Sequence, residues 1–326
     1  MEYILPFRMM RRILRINFLL ILLSTNPPNS QPDNRFLPFD WIQYRFSGSI
    51  TSLSEGYSYL YIGTETGGIK RYNLFSNDFD EPITIAQGLK ENSITAIHFD
   101  HATGILWVCT PNFIQYSYTR EGSWNTLEIK STGLSKFDRI KKIGSSEDYI
   151  WLKGNSIFLK LDHSSAVVAG MFPYPDELAI QWSGSFSNRW ENDFKKILNN
   201  YPIMGGWIST GNTFIDHLGR SVDIISTLIG RHGDVWVGCD NGVLLHARQS
   251  TEIFYIVSTS IPINDVAGMK VSDDLIWVGG TEILSGFGVS WLNMNTNESF
   301  TFEFDSNINM SATPVYSIWD SKSTLW

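Results

Sequence analysis

The sequence predicts an all-β chain of repeated four-stranded units, and three observations predict it. Short apolar segments with an aromatic at the second position recur along the 326 residues. An aliphatic pair spaced i, i+3 precedes each of them at a nearly constant distance. The unit recurs about every 44 residues, a period that with several strands per unit fits propeller blades and not helical repeats. The expected fold is a β-propeller, seven-bladed with four-stranded blades, the last blade incomplete in this chain.

The aromatic segments run Leu60-Tyr61-Ile62-Gly63-Thr64, Leu106-Trp107-Val108-Cys109-Thr110 and Ile150-Trp151-Leu152-Lys153-Gly154. They continue as Val235-Trp236-Val237-Gly238-Cys239 and Ile276-Trp277-Val278-Gly279-Gly280, and the chain stops at Leu325-Trp326. The aliphatic pairs are Ile50/Leu53, Ile94/Ile97, Ile140/Ile143, Ile225/Leu228, Val266/Met269 and Val315/Ile318. Eleven residues separate first aliphatic from aromatic in five units. The second unit has thirteen, with the extra residues in the turn at His101-Ala102-Thr103-Gly104.

Acidic and glycine residues between the two segments, such as Gly233-Asp234 and Asp273-Asp274, suit hairpin turns. A third strand follows, as in Gly68 to Tyr72 and Gly242 to His246, the latter after the hairpin-prone Asp240-Asn241-Gly242. Inner blade strands are covered on both faces, so they read as continuous apolar runs. The aromatic fills the space between blades and the glycine two positions later admits close backbone approach. That assigns most of the 12 tryptophans to packing. Trp41 to Phe46 is expected as an outer strand closing the ring, since closure removes exposed edges.

The step from Ile140 to Ile225 is twice the repeat, so a degenerate blade or insertion is expected at about 163–206 within a propeller spanning 36–326. This stretch holds Gly170-Met171-Phe172-Pro173-Tyr174-Pro175-Asp176, a second aromatic cluster from Trp182 to Trp190 and a short amphipathic run, Glu191 to Asn200. Trp207-Ile208-Ser209-Thr210 resembles the aromatic strand, so the blade is expected to resume there.

Residues 1–30 have the order of a secretory signal peptide and linker. Arg8, Arg11, Arg12 and Arg15 precede the apolar Ile16 to Leu23, and helix-breaking Pro27-Pro28 follow. The apolar run is too short to span a bilayer, which takes about 20 residues. Export to the periplasm or cell surface is the expectation, with membrane attachment only through parts absent from this chain. Cys109 and Cys239 sit in equivalent strands and read as small buried residues, not a bridge. Twenty-five basic against 33 acidic residues give a net charge of -8, without the basic footprint that nucleic acid needs.

Catalytic motifs are missing: there is no Gly-x-Ser-x-Gly elbow, His-Glu-x-x-His or Walker loop. The glycine-rich Gly63 to Gly68 joins two strands and lacks the helix that phosphate binding requires. His98 and His101 have no third ligand nearby, so no metal, cofactor or enzymatic activity is expected. Asp100 to Trp107 is similar to the Asp-box turn of sialidase propellers. Without an arginine cluster and a tyrosine nucleophile, that points to turn geometry and leaves a propeller glycoside hydrolase or lyase as the remote alternative.

The pattern aliphatic-x-x-aliphatic, acidic-glycine turn, Leu-Trp-Val-Gly-Thr, Gly-Val/Ile resembles the two-component regulator propeller repeat. The stretches that carry it are Ile94 to Thr110, Ile225 to Leu245, Val266 to Gly280 and Tyr57 to Tyr72. The resemblance implies a sensor-type periplasmic propeller of hybrid two-component systems, some members being similar to oligosaccharide receptors. The same repeats are similar to those of a two-propeller surface component of type IX secretion. The chain shows no kinase, sorting or Ig-like domain and ends inside a repeat, as a fragment of a longer product would. The implied function is non-catalytic recognition of a glycan or surface protein, with a structural role in a surface assembly as the alternative. Aromatics outside the repeat register are free to bind, so Trp182, Arg189, Trp190 and Tyr201 are the candidate ligand residues.

Overall fold

The computed structural model describes residues 37–118, 123–135, 138–183, 190–211, 213–261, 263, 266–280, 287–303, 315–316, 318, 320–321 and 324–325. The expected signal segment lies outside these residues. The fold is a β-propeller assembled from antiparallel sheets. The first sheet is β1 (Ile50–Glu55), β2 (Tyr59–Thr64), β3 (Ile69–Asn73) and β4 (Phe79–Ile83), paired in chain order. The second is β5 (Ala96–Phe99), β6 (Leu106–Cys109), β7 (Phe113–Ser117) and β8 (Asn125–Glu128).

The third holds β9 (Lys142–Ser145), β10 (Tyr149–Lys153), β11 (Phe158–Asp162) and β12 (Val168–Phe172), with β13 (Gln181–Trp182) added beside β9. Helix α1 (Trp190–Asn200) follows, covering the amphipathic run. The fourth sheet then forms in the order β14 (Ile208–Ser209), β15 (Thr213–Ile215), β16 (Ser221–Ile229), β17 (Val235–Cys239), β18 (Val243–Ala247) and β19 (Phe254–Ser258). A fifth holds β20 (Val266–Ser272), β21 (Leu275–Gly280), β22 (Phe287–Asn293) and β23 (Ser299–Glu303), and β24 (Asp320–Ser321) pairs with β25 (Thr324–Leu325). Between the third and fourth units, the described residues are thus shared out: the fourth strand of one sheet, an added strand, a helix and two short strands on the next.

Inner strands pack on one another. β1 lies against β5 on one side and β16 on the other, and β5 lies against β9. Hydroxyls of β1 tie its neighbours' backbones. Thr51 Oγ1 donates to the Ile94 carbonyl (2.7 Å), and the amides of Ile97 and Phe99 donate to Ser52 Oγ (3.1 Å) and Ser54 Oγ (2.7 Å). Toward the fourth sheet, Ser226 Oγ donates to the Ile50 carbonyl (2.8 Å) and the Arg231 amide donates to the Glu55 carboxylate (3.1 Å). Buried polar atoms placed so are satisfied across the junction, and the sheets interlock without sharing a strand.

The apolar repeat fills the gaps between sheets as the sequence predicts. Tyr61 packs with Ile94, Ile97 and Phe99, Trp107 with Ile140 and Ile143, and Trp236 with Ile50 and Leu53. Trp107, Trp151 and Trp236 are buried to within 1% of complete. Trp236 stacks flat on His246, ring centres 3.7 Å apart and planes 2° apart. Cys109 and Cys239 are free and buried, and burial raises both thiols.

One expectation fails. Trp41 to Phe46 forms no strand. It runs across the ends of the first and fifth sheets, held by side chains instead of a ladder. Thr66 Oγ1 donates to the Phe46 carbonyl (2.7 Å), Arg45 Nε to the Thr66 carbonyl (3.2 Å) and the Tyr44 hydroxyl to Asn297 Oδ1 (2.6 Å). Just beyond it, the carbonyls of Ser47 and Ser49 accept from the amides of Thr66 and Glu65, so the chain meets a turn there and not a strand edge.

Candidate functional site

Inner strands of four sheets surround a cavity of about 570 Å³. Thr51 and Ser52 of β1, Thr95 beside β5, Lys142 of β9 and Ser226 of β16 contribute to its wall, together with Leu53, Ile94, Ile140 and Ile225. Ser and Thr recur in the lining because the inner strands use their hydroxyls to bond the adjoining sheet. Arg139, Lys141 and Lys142 stand exposed on the entry to β9, opposed by Glu65. The Glu65 carboxylate is engaged by Ser49, whose hydroxyl donates over 3.0 Å. The cavity therefore combines neutral hydroxyls with a local cationic excess in a chain of net charge -8, the chemistry that suits a hydroxylated, anionic molecule.

The predicted site residues fall in separate places. Trp182 is half-buried on β13, its backbone paired with Gly144 and its ring 5.9 Å from that of Phe158. Its neighbour Ser183 reaches the cavity wall and accepts from the Ile143 amide (3.3 Å). Trp190 opens α1, and Arg189 lies outside the described residues. Tyr201 follows α1 and packs on Phe254, ring centres 5.8 Å apart, in the core of the fourth sheet. Trp182 and Tyr201 thus belong to the packing of different sheets.

A second cluster, missed in the sequence, joins the second and third sheets. His98 Nε2 and Ser145 Oγ are 2.9 Å apart, and His163 Nε2 bonds the carboxylate of Asp100. Asp100 also accepts from the amides of Ala102 (3.1 Å) and Thr103 (3.2 Å) and from the Thr103 hydroxyl. Burial works against ionising Asp100, but the hydrogen bonds from Thr103 and His163 outweigh it and lower its pKa. Burial, helped by His101 and His163, draws His98 down to about 4 against the pull of Asp100, so its ring is neutral at pH 7.

Ser145 and His98 have the geometry of a nucleophile and base, but among the described residues His98 Nδ1 has no partner to orient it, and both residues are buried. A hydrolytic triad needs that third group and an approach for substrate. The aspartate turn was legible at Asp100 to Trp107; the contacts across sheets were not, because they join residues 47 and 63 positions apart. Among the described residues no group of three potential metal ligands occurs, and no helix is long and apolar enough to cross a membrane.

No family model matches the chain, and no curated protein matches it. Among solved structures it is similar to the extracellular domain of a hybrid two-component system of B. thetaiotaomicron, at 13% identity and a TM-score of 0.32, over 84% of this chain and 38% of that one. A second structure of that domain, described as a one-component system, matches at 14% identity and a TM-score of 0.30, over 86% and 40%. The Pan2 WD40 domain of Neurospora crassa matches at 10% identity and a TM-score of 0.29, over 83% and 68%. The chain spans about two fifths of the length of the first two.

Proposed function

We propose that this is an exported, sensor-type propeller that recognises a glycan or surface partner and performs no catalysis. The observation that supports it is the hydroxyl-lined cavity among the inner strands, with Arg139, Lys141 and Lys142 at its edge. An acidic oligosaccharide fits that wall: its hydroxyls exchange bonds with Ser and Thr, and its carboxylate or sulfate groups meet the cations. Of the expected ligand residues, Trp182 adjoins the cavity through Ser183, which follows it directly into the wall. The buried, unoriented Ser145–His98 pair favours binding over turnover.

A glycan array probed with purified protein tests the proposal. Binding to acidic oligosaccharides is expected, and the Arg139→Ala/Lys142→Ala double variant should lose it while melting at the same temperature. Failure of the wild type to bind any glycan overturns the glycan reading, and release of shorter products overturns the non-catalytic one.

A role as an interaction module of a surface assembly has one observation of its own. The fifth sheet leaves Val266, Met269, Val271, Phe300 and Phe302 about half exposed or more, and apolar side chains grouped so on one sheet mark contact surfaces.

A further inference from the structure

The residue opposite the one following each repeat aromatic is a core position. Lys70 occupies it in the first sheet, paired with Ile62; its equivalents are Gln115, Leu159, Leu245 and Ser290. All five are buried. Two are leucines, and the polar ones have partners. Gln115 accepts from the Lys90 amide (2.8 Å) and donates to Gly88 and Thr126, and Ser290 meets Thr301 at 2.9 Å. Lys70 has three N–H donors and, among the described residues, one bond, a long 3.4 Å contact to the Arg45 carbonyl.

The contrast within the chain is Lys160. That ammonium is also buried, but Asp176 (2.9 Å) and Glu177 (2.7 Å) neutralise it. No carboxylate comes within ion-pair distance of Lys70 among the described residues. Burial alone draws its ammonium down to about 8, which leaves it charged at pH 7. An unneutralised buried charge is costly and is retained where something else supplies the counter-charge.

Lys70 lies in the wall of a cavity of about 290 Å³ between the first and fifth sheets. Ile261, Ile263, Ile276 and Leu292 make that wall apolar, and Val266 and Met269, both more than half exposed, stand at its open side. Asp80 and Arg45 also touch the cavity, and Arg45 is committed to the Thr66 carbonyl.

We propose that this cavity binds a small apolar carboxylic acid, its hydrocarbon body against the fifth sheet and its carboxylate on the Lys70 ammonium. The site is separate from the hydroxyl-lined cavity, so either can fail alone. A chain of about eight to ten carbons or one aromatic ring suits an apolar space of this size.

Calorimetric titration of the full chain with decanoate, and with decanol as the neutral control, decides. Decanoate should bind at least about tenfold more tightly than decanol. Lys70→Met should erase that preference while still binding decanol, and Arg45→Ala should preserve it. Equal affinities in the wild type, no binding of decanoate, or a preference lost in Arg45→Ala and kept in Lys70→Met each overturn the proposal. If Lys70→Met fails to fold, Val266→Trp, which narrows the open side without touching the charge, should weaken both ligands alike; unaltered decanoate affinity there counts against the cavity.

Discussion

Ile50 stands against Gly238: a Cβ at Gly238 would lie 2.7 Å from the Ile50 Cβ and closer still to its Cγ2. The same relationship joins Gly63 to Ile94 (2.8 Å to Cγ2) and Gly279 to Val315 (2.7 Å to Cγ1). In those two, the glycine of one unit receives the first aliphatic of the next unit in the chain. At Gly238 the first aliphatic of the first unit takes the place that Val266 would fill in sequence order, and Val266 is left 54% exposed. Gly238→Ala should therefore loosen the junction of the first and fourth sheets by about 1–3 kcal/mol, the usual range for an overpacked site. Urea denaturation reads it, and an unchanged midpoint would mean the two sheets do not meet so closely.

Acid should weaken the protein before its carboxylates titrate. His98 has a folded value of about 4 against 6.5 when unfolded. A depressed histidine means the unfolded chain takes up its proton first, so stability falls as pH drops from 6.5 to 4. His98 alone contributes about 3 kcal/mol over that window, and His101, also drawn down to about 4 by burial and then by Arg231, adds to it. His98→Gln should flatten the slope in chemical denaturation measured at pH 7, 6, 5 and 4.

Alkali should do the reverse through Lys70. Its amine is drawn to about 8 from 10.5, so between these values the unfolded chain holds a proton that the folded chain has released. Stability rises with pH across that window, by about 3 kcal/mol. Comparing the wild type with Lys70→Met at pH 7 and pH 10 isolates the effect: the variant should be the more stable at pH 7 and the gap should close by pH 10.

Asp100→Ala should cost about 3 kcal/mol, since it leaves His163 and two amides without their acceptor in a buried junction. Thermal melting measures it. A loss below 0.5 kcal/mol, about what a surface substitution costs, would place the carboxylate in water.

Arg189→Ala/Trp190→Ala separates recognition from packing in the segment before α1. Lost glycan binding at an unchanged melting temperature makes these residues a site; a melting temperature lowered by several degrees makes them structural.

The repeat made the sheets legible, because each strand is coded by its own neighbours: Ile50/Leu53, then the aromatic, then Gly63. A further signal was present and unread. The turn between third and fourth strands begins with Asn73, Asp162 or Asn293, whose side chain accepts from the amides two and three residues on. Its fifth residue is left-handed at Asn77, Ala166 and Asn297, with φ of 61°, 56° and 55°. Asn and Asp suit such turns, so they would have placed the fourth strands, including Val168–Phe172. The order of sheets was not legible. Ile50 and Val266 are chemically equivalent to Gly238, and spacing along the chain cannot choose between them. Nor was the Lys70 cavity, whose opposite walls lie near residues 70 and 270.

Each sheet is drawn from one contiguous stretch of chain, and none borrows a strand from a neighbour. Duplication or deletion of one unit in a gene would accordingly add or remove a whole sheet with every remaining ladder complete. The newcomer need only offer a small residue to one neighbour and an aliphatic to the other, as the units with Gly63, Gly238 and Gly279 do. Ring size in such a lineage can then drift by whole blades, while the side chains that line the centre change company with each step.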